Sequence, residues 1–354
     1  MNRGNEMRRL AAAMCVAILC ALPCHAREER AAAAAERAAA WLTETVARPE
    51  MGSVGGEWLV LGLARSGAQA PEGYFAGYLE GLREDVAARA GVLNTRKYSE
   101  YSRVVLALTA LGETPGDVAG YDLLAPLGDH DAVVYQGVNG AIWALIALDS
   151  GNYAVASCPA GGTQASRAGY LSYILEAQRE DGGWALAGGA SDPDLTAMAL
   201  QALAGYRGDQ RAADACARGL ALLSATQEKD GGYSGLPGEN SESCAQVLMA
   251  LCALDVELTD SRFVKEGNTV LDALLSYQRP DGSFLHVRGT GQGDLMATEQ
   301  ALMALAAVGR MEAGDGGLFR MTDGVAREMV SFVDVLEFSA QAMGQIAQAL
   351  RGLR

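Results

Sequence analysis

Six carboxylates stand at or near the start of apolar segments, and they are the residues best placed to do chemistry. They are Glu57, Glu100, Asp192, Asp194, Glu242 and Asp294. At a helix start a carboxylate accepts hydrogen bonds from free backbone amides, which stabilises the helix by roughly 0.3–1 kcal/mol. A protonated carboxyl in the same place can instead donate a proton as a general acid. For each single residue the sequence favours capping and leaves acid chemistry open.

An internal repeat predicts the helices that carry these carboxylates. The pattern small–Leu–x–Ala–Leu occurs at Ala107–Leu111, Ala144–Leu148, Ala199–Leu203, Val247–Leu251 and Ala301–Leu305, with a degenerate copy at Leu59–Leu63. Each copy is apolar almost all round, which is typical of a helix buried on every side. The repeat therefore predicts six buried helices.

Segments with one apolar and one polar face alternate with the buried ones and predict outer helices. They are Arg27–Ala47, Gly73–Ala90, Val118–Pro126, Thr163–Gln178, Gln210–Gln227 and Phe263–Gln278. Short connections then favour six helical hairpins, with an outer ring around an inner ring and no strands. We predict an all-α toroid over residues 27–310. Residues 311–354 are predicted to form a linker and a helix, Ser331–Leu350, that packs on the toroid.

A second repeat ends three of the outer helices. Its members are Gln178, Asp181, Gly182 and Trp184, then Gln227, Asp230, Gly231 and Tyr233, then Gln278, Asp281, Gly282 and Phe284. Asp-Gly ends a helix because glycine accepts left-handed backbone angles. The glutamine can then bond exposed backbone groups while the aromatic ring folds over the last turn. We predict a structural role for this repeat.

These three copies resemble the QW repeats of the terpenoid cyclase and protein prenyltransferase superfamily, whose members are (α/α)6 toroids. The resemblance implies that the inner helices begin at the barrel mouth, so that the six carboxylates form an acidic rim. Such a rim favours cationic or hydroxyl-rich ligands. Trp143 and Tyr173 are further candidates for ligand contacts, and the inner-helix methionines are candidates for an apolar cavity: Met198, Met249, Met296 and Met303.

The segment Ser191–Ala197 resembles the acid motif of squalene–hopene-type cyclases. The resemblance implies that Asp194 is the proton donor and that Asp192 fills the first acidic position. The third acidic position is Leu195, so one charge that would help to keep Asp194 protonated is missing. The related cyclases also place the reaction between two helical barrels, whereas this chain holds one. We therefore expect Asp194 to be an ionised helix cap at neutral pH.

A zinc prenyltransferase is disfavoured, and no cofactor is predicted. Glu242 and Cys244 resemble a shifted version of that family's Asp-x-Cys zinc pair, but Ala297 stands where its histidine is expected. Catalytic zinc needs three protein ligands and an open position, so we predict no metal. Four cysteines follow the signal segment, Cys158, Cys216, Cys244 and Cys252. Most of them are predicted to be small buried apolar residues, and a disulfide that involves Cys158 or Cys216 stays open.

The first residues predict the compartment. Arg8 and Arg9 precede a short apolar run, and the segment closes on Ala26, which is typical of a secretory signal peptide over residues 1–26. No later stretch is predicted to span a membrane. The net charge of −15 argues against nucleic acid and anionic membranes as partners.

Together these patterns favour a secreted toroid that binds a ligand at its mouth. The ligand class stays open between a small molecule, a glycan and a protein. The alternative is a single-barrel cyclase-like enzyme that uses Asp194 as the acid. A structural or surface-display module is the third class.

Overall fold

The computed structural model describes residues 27, 29–158, 161–186, 188–235, 238–289 and 291–322. Twelve α-helices and one short β-hairpin lie in this part of the chain. The signal peptide predicted at residues 1–26 and the helix predicted at Ser331–Leu350 lie outside the described residues.

Six helices form a closed inner ring. They are α2 (Trp58–Ser66), α4 (Ser99–Ala110), α6 (Val138–Ser150), α8 (Pro193–Leu203), α10 (Ser241–Ala253) and α12 (Leu295–Ala313). Each contacts the next, and α12 returns to contact α2. Small residues permit this close approach: a Cβ added at Gly62 would lie 3.3 Å from Cδ2 of Leu302. The predicted inner ring is confirmed.

Six elements surround the inner ring. They are α1 (residues 29–45), α3 (Tyr74–Ala88), α5 (His130–Val134), α7 (Arg167–Glu176), α9 (Gln210–Thr226) and α11 (Val270–Leu275). Helix α9 shows the expected amphipathic pattern, because Ala212, Cys216 and Leu223 are buried on one face. Outer and inner helices alternate along the chain, so the six-hairpin toroid is confirmed.

Two outer helices differ from the prediction. Residues 118–126 do not form the predicted α-helix: Val118 pairs with Tyr121 around a turn in which Gly120 has φ 85°, and a 3₁₀ helix (Ala125–Gly128) and α5 follow. Residues 263–269 contain β1 (Val264–Lys265) paired antiparallel with β2 (Asn268–Thr269), so the expectation of no strands is wrong there. Glu266 and Gly267 have positive φ and form the tight turn of this hairpin. The predicted helix over Phe263–Gln278 did not take account of this turn.

The Gln–Asp-Gly–aromatic repeat joins neighbouring outer elements. The amide of Gln178 donates to Gly182 O in its own loop and to Ala215 O of α9. The equivalent amides of Gln227 and Gln278 donate to Phe263 O and Ala34 O, the latter on α1. Asp181, Asp230 and Asp281 each accept from the backbone amide two residues later, and Trp184, Tyr233 and Phe284 are fully buried. All three loops lead from an outer to an inner helix and therefore lie at one end of the barrel.

The glycines of this repeat are required by close packing as well as by turn geometry. Gly182, Gly231 and Gly282 all have φ near +90°. A Cβ at Gly182 would lie 2.8 Å from Arg218 O, and one at Gly231 would lie 2.5 Å from Thr269 O. Any larger residue would push the loop away from the next outer element.

After α12 the chain crosses the opposite end of the barrel, and we call residues 315–322 the tail. Leu318 and Met321 are buried. Nε of Arg65 donates to Leu318 O at 3.0 Å, and the amide of Met321 donates to Ser150 O at 2.9 Å. The tail is therefore held against the C-terminal ends of α2 and α6.

The cysteines that the structure describes are all free thiols. Cys216, Cys244 and Cys252 are buried, so the prediction that most of the cysteines are buried is confirmed, and burial raises the pKa of Cys216 to about 11. Cys158 is half-buried. Within the described ranges, no helix combines the length and the apolar character that a membrane crossing requires.

Candidate functional site

A cavity of about 200 Å³ lies inside the inner ring. Aromatic, methionine, amide and charged side chains line it, namely Trp58, Trp143, Phe319, Met198, Met249, Met303, Gln246, Gln300, Ser99 and Arg103. Of the predicted contact residues, Trp143 and three of the four methionines lie here. Met296 does not line the cavity and is 40% exposed, so that part of the prediction is wrong.

Three aromatic rings build one wall of this central cavity. Trp58 lies on α2 and Trp143 on α6, and their ring centroids are 4.9 Å apart. Phe319 from the tail meets Trp143 edge-to-face at 5.8 Å. Aromatic rings supply a large apolar surface at a fixed orientation, so this wall suits an apolar ligand group.

A row of amides crosses three consecutive inner helices. Nε2 of Gln201 on α8 donates to Oε1 of Gln246 on α10 at 3.1 Å, and Nε2 of Gln246 donates to Oε1 of Gln300 on α12 at 3.1 Å. Oε1 of Gln201 is buried and has no hydrogen-bond partner among the described residues. A buried carbonyl oxygen without a donor is costly. Of the three amides, only those of Gln246 and Gln300 line the central cavity, where they can hydrogen-bond a ligand hydroxyl.

Sequence reasoning missed the amide row, although a signal was present. Gln201 occupies the variable place of its Ala-Leu repeat, and Gln246 and Gln300 immediately precede theirs. Glutamines in otherwise apolar inner helices, two of them at matching places, indicate a shared polar environment.

Asp194 lies at the mouth, one helical turn before the cavity residue Met198. Asp192, not Asp194, caps α8, because its side chain accepts from Leu195 N at 2.9 Å. The expectation that Asp194 is the cap is wrong. Burial raises the pKa of Asp194 to about 6, and the charges of Asp192 and Glu242 act in the same direction. The nearby Ser243 hydroxyl opposes this, although Oδ1 of Asp194 and Oγ of Ser243 both lack partners of ordinary hydrogen-bond geometry.

Glu242 connects this part of the mouth to the surface. Its side chain is 6% exposed and accepts from Ser241 Oγ at 3.1 Å. Nδ1 of His286 lies 2.8 and 2.9 Å from its two carboxylate oxygens, and the histidine side chain is 41% exposed. No local pattern near Glu242 predicts this pair, because His286 belongs to the loop of the next hairpin.

Glu57 lies across the mouth and is not part of an exposed rim. It is fully buried, and Nε of Arg103 donates to it at 2.7 Å. The amide of Gly52 and the hydroxyl of Tyr78 also donate to its carboxylate. Burial raises the pKa of Glu57, while the Arg103 charge and these hydrogen bonds oppose the rise.

Glu299 is a buried carboxyl that sequence reasoning did not single out. Its Oε1 accepts from Gly55 N at 2.7 Å, and its Oε2 has no partner among the described residues. Burial raises the pKa of Glu299 to about 8, helped by the charges of Asp294 and Glu57. It therefore holds its proton at neutral pH.

The remaining predicted rim residues have separate positions. Asp294 caps α12 through Ala297 N at 2.8 Å. Glu100 accepts from Asn94 and lines a separate mouth pocket of about 440 Å³. Tyr173 is on outer helix α7 with its ring against His130, so its prediction as a cavity contact is wrong.

Glu242 and Cys244, which resemble a shifted zinc pair, contact different partners. Cys244 is fully buried with its thiol directed to Asn240 O, while Glu242 faces His286. In the ranges that the structure describes, no three His, Cys, Asp or Glu side chains are grouped so as to hold a metal ion.

Comparison with known proteins agrees with this architecture. Residues 195–345 match the family described as the prenyltransferase alpha-alpha toroid domain. A variant of the type II terpene cyclase MstE from Scytonema, in complex with geranylgeranyl dihydroxybenzoate, superposes with a TM-score of 0.53 at 13% identity, covering 81% of this chain and 99% of the cyclase. The apo form of the same cyclase superposes with a TM-score of 0.53 at 15% identity, covering 80% of this chain and 99% of the cyclase. No curated protein sequence matches the chain. The resemblance to the terpenoid cyclase and prenyltransferase toroids is confirmed in the fold.

Proposed function

Because the chain carries the α/α toroid of the terpenoid cyclase and prenyltransferase superfamily, we propose that it binds a small amphipathic molecule in its central cavity. The ligand places an apolar group on the Trp58–Trp143 wall and a hydroxyl on the amide row. The observation that carries this proposal is that the Trp58–Trp143 wall and the linked amides of Gln246 and Gln300 line the same cavity.

The size and lining of the cavity narrow the ligand class. Ligand pockets usually measure about 300–1,000 Å³, mostly apolar with a few placed polar groups. The central cavity has the same kind of lining but only about 200 Å³. A short isoprenoid alcohol combines an apolar chain with one hydroxyl and fits this description. The similar cyclase MstE is described with a geranylgeranyl compound as its substrate, which supports an isoprenoid ligand.

Geraniol is the direct probe, and tryptophan fluorescence is the readout. Geraniol should quench the fluorescence of Trp58 and Trp143 because both rings lie in the cavity wall. Replacement of Gln246 by Leu should weaken binding about 2–10-fold, as expected for loss of a hydrogen bond.

The matched control is Trp41→Phe, because Trp41 lies on outer helix α1 and does not line the cavity. Its quenching should match that of the parent chain. The proposal is wrong if geraniol does not bind, or if binding is insensitive to both Gln246→Leu and Trp143→Phe.

Acid catalysis is a second candidate function, favoured by the surroundings of Asp194. Its pKa of about 6 allows a protonated fraction near neutral pH, and Asp194 precedes the cavity residue Met198 by one turn of α8. Asp194 would transfer its proton to an alkene carbon, and the resulting carbocation would close on a second double bond before losing a proton to water. The pair of Glu242 and exposed His286 would return a proton from solvent.

Incubation with geraniol and farnesol tests this second candidate. A cyclised product that disappears in Asp194→Asn, with binding retained, would establish the enzyme. Binding without product would leave the carrier function alone.

We also propose that the toroid is secreted, since Arg8 and Arg9, the short apolar run after them and Ala26 have the pattern of a secretory signal peptide. An intact mass that begins at Arg27 in the exported protein would support this. A cytosolic protein that keeps residues 1–26 would contradict it.

A further inference from the structure

A second, larger cavity lies at the tail end of the barrel. Its volume is about 710 Å³, and it lies among the C-terminal ends of α6, α8 and α10 and the tail. Its lining includes Gln201, Tyr206, Arg207 and Ala253. Two side chains line both this lower cavity and the central one, Met249 and Phe319. These two side chains therefore form the partition between the cavities.

Phe319 is the rigid half of this partition. Its ring rests edge-to-face on Trp143, and its neighbours Leu318 and Met321 are buried on either side. The backbone bonds from Arg65 to Leu318 O and from Met321 to Ser150 O fix the tail at both sides of the ring. Met249 has a flexible unbranched side chain that can reshape around a ligand. The phenyl ring cannot deform, so it decides whether the two spaces join.

We infer that Phe319 is the specificity-determining residue that limits how long a ligand the barrel accepts. This inference rests on the proposed binding function. With the ring in place, a ligand entering from the mouth meets a floor beneath the central cavity. Without it, the central cavity would open into the lower one, and the combined space would reach the size usual for ligand pockets.

A series of isoprenoid alcohols of increasing length tests directly whether Phe319 limits ligand length. Geraniol, farnesol and geranylgeraniol differ by one isoprene unit at each step and can be titrated calorimetrically against the parent chain and Phe319→Ala. The parent chain should bind geraniol best. Phe319→Ala should reverse the order, because each isoprene unit that becomes buried strengthens binding by at least about tenfold.

Met321→Ala is the matched control. It also truncates a buried side chain of the tail, but Met321 lines neither cavity. It should retain the parent's order of ligands. Phe319→Leu is a milder enlargement, to be used if Phe319→Ala does not fold, and should move the preference by one step. Phe319→Trp should narrow the space and weaken geraniol itself.

The outcomes separate this inference from the proposed function. If the parent binds geraniol and the Phe319 variants rank the three alcohols in the same order of affinity, Phe319 does not limit ligand length, and the proposed binding function is still supported. If the parent binds none of the alcohols but Phe319→Ala binds farnesol, the role of Phe319 in limiting ligand length is supported, and the proposed function of the parent is wrong. If neither protein binds any of the three, both are wrong.

Discussion

The two sides of the barrel mouth hold buried carboxyl groups in opposite electrostatic surroundings. On one side, Glu57 has a guanidinium at 2.7 Å, a tyrosine hydroxyl and a backbone amide as donors. On the other side, Asp194 has an oxygen with no partner of ordinary geometry, and its charged neighbours Asp192 and Glu242 are both acidic. Both residues stand at the start of an inner helix.

The difference shows that position at a helix start does not determine the role of a carboxyl. Its role depends on the residues that the ring places across from it. Arg103 comes from the next inner helix, α4, and compensates Glu57. Next to Asp194, the neighbouring helix α10 contributes Ser243 and Glu242 and no cation. The first side therefore partly compensates a buried negative charge with a cation and hydrogen-bond donors, and the second side does not.

The largest effect is expected from removing the cation on the Glu57 side. Arg103→Met should destabilise the protein by about 3–5 kcal/mol, because it leaves a buried carboxylate without its partner. Urea unfolding at neutral pH measures this. Arg83→Met is the control: Arg83 pairs with Glu113 at the surface, with side chains 49% and 38% exposed, and should lose less than about 1 kcal/mol. Equal losses in the two variants would contradict the contrast.

The ring of hairpins was predictable because its signals are local and repeated. Apolar repeats set the inner helices, and amphipathic patterns set most outer helices. The short third and sixth outer elements were not predictable in the same way. At Val118 and Val264 the prediction extended a helix into turns, which form where Gly120 and the pair Glu266 and Gly267 adopt positive φ.

The site was predictable only where a residue's own helix decides its surroundings. Trp143 and Met198 face the cavity because inner-helix periodicity places them there. Contacts between hairpins were not predictable, since nothing near Glu242 in sequence indicates His286, and nothing near Trp143 indicates Phe319. The burial of Asp194 has the same origin, because it depends on the neighbouring hairpin around Ser243.

A smaller effect, of opposite sign, is expected on the Asp194 side. The folded pKa of Asp194 is about 6 against an ordinary value of 3.8, so the folded state holds this proton more tightly than the unfolded chain. That contribution is complete below pH 3.8 and is lost as pH rises through 6. Asp194→Asn should therefore stabilise the protein at pH 8, by up to about 3 kcal/mol, and have little effect at pH 4.

Glu57→Gln is the matched variant for this measurement. It neutralises a carboxyl at the same helix position but leaves the Arg103 guanidinium without its partner, so it should destabilise the protein at pH 8. Thermal unfolding of both variants at the two pH values is sufficient. The same sign of effect in both at pH 8 would show that the two sides of the mouth are not electrostatically distinct.

The smallest effect separates the two aspartates of a single helix start. Asp192 is the residue that caps α8, since Leu195 N donates to it at 2.9 Å, and it also raises the pKa of Asp194 by its charge. Asp192→Ala should cost about 1 kcal/mol, whereas Asp192→Asn keeps a capping oxygen and should cost almost nothing. Both variants remove a negative charge beside Asp194 and should lower its pKa, which a carboxyl NMR titration can follow. Capping and electrostatics are then measured apart: Ala changes both, and Asn changes the pKa alone. If Asn were as destabilising as Ala, the charge of Asp192 rather than its hydrogen bond would stabilise the helix.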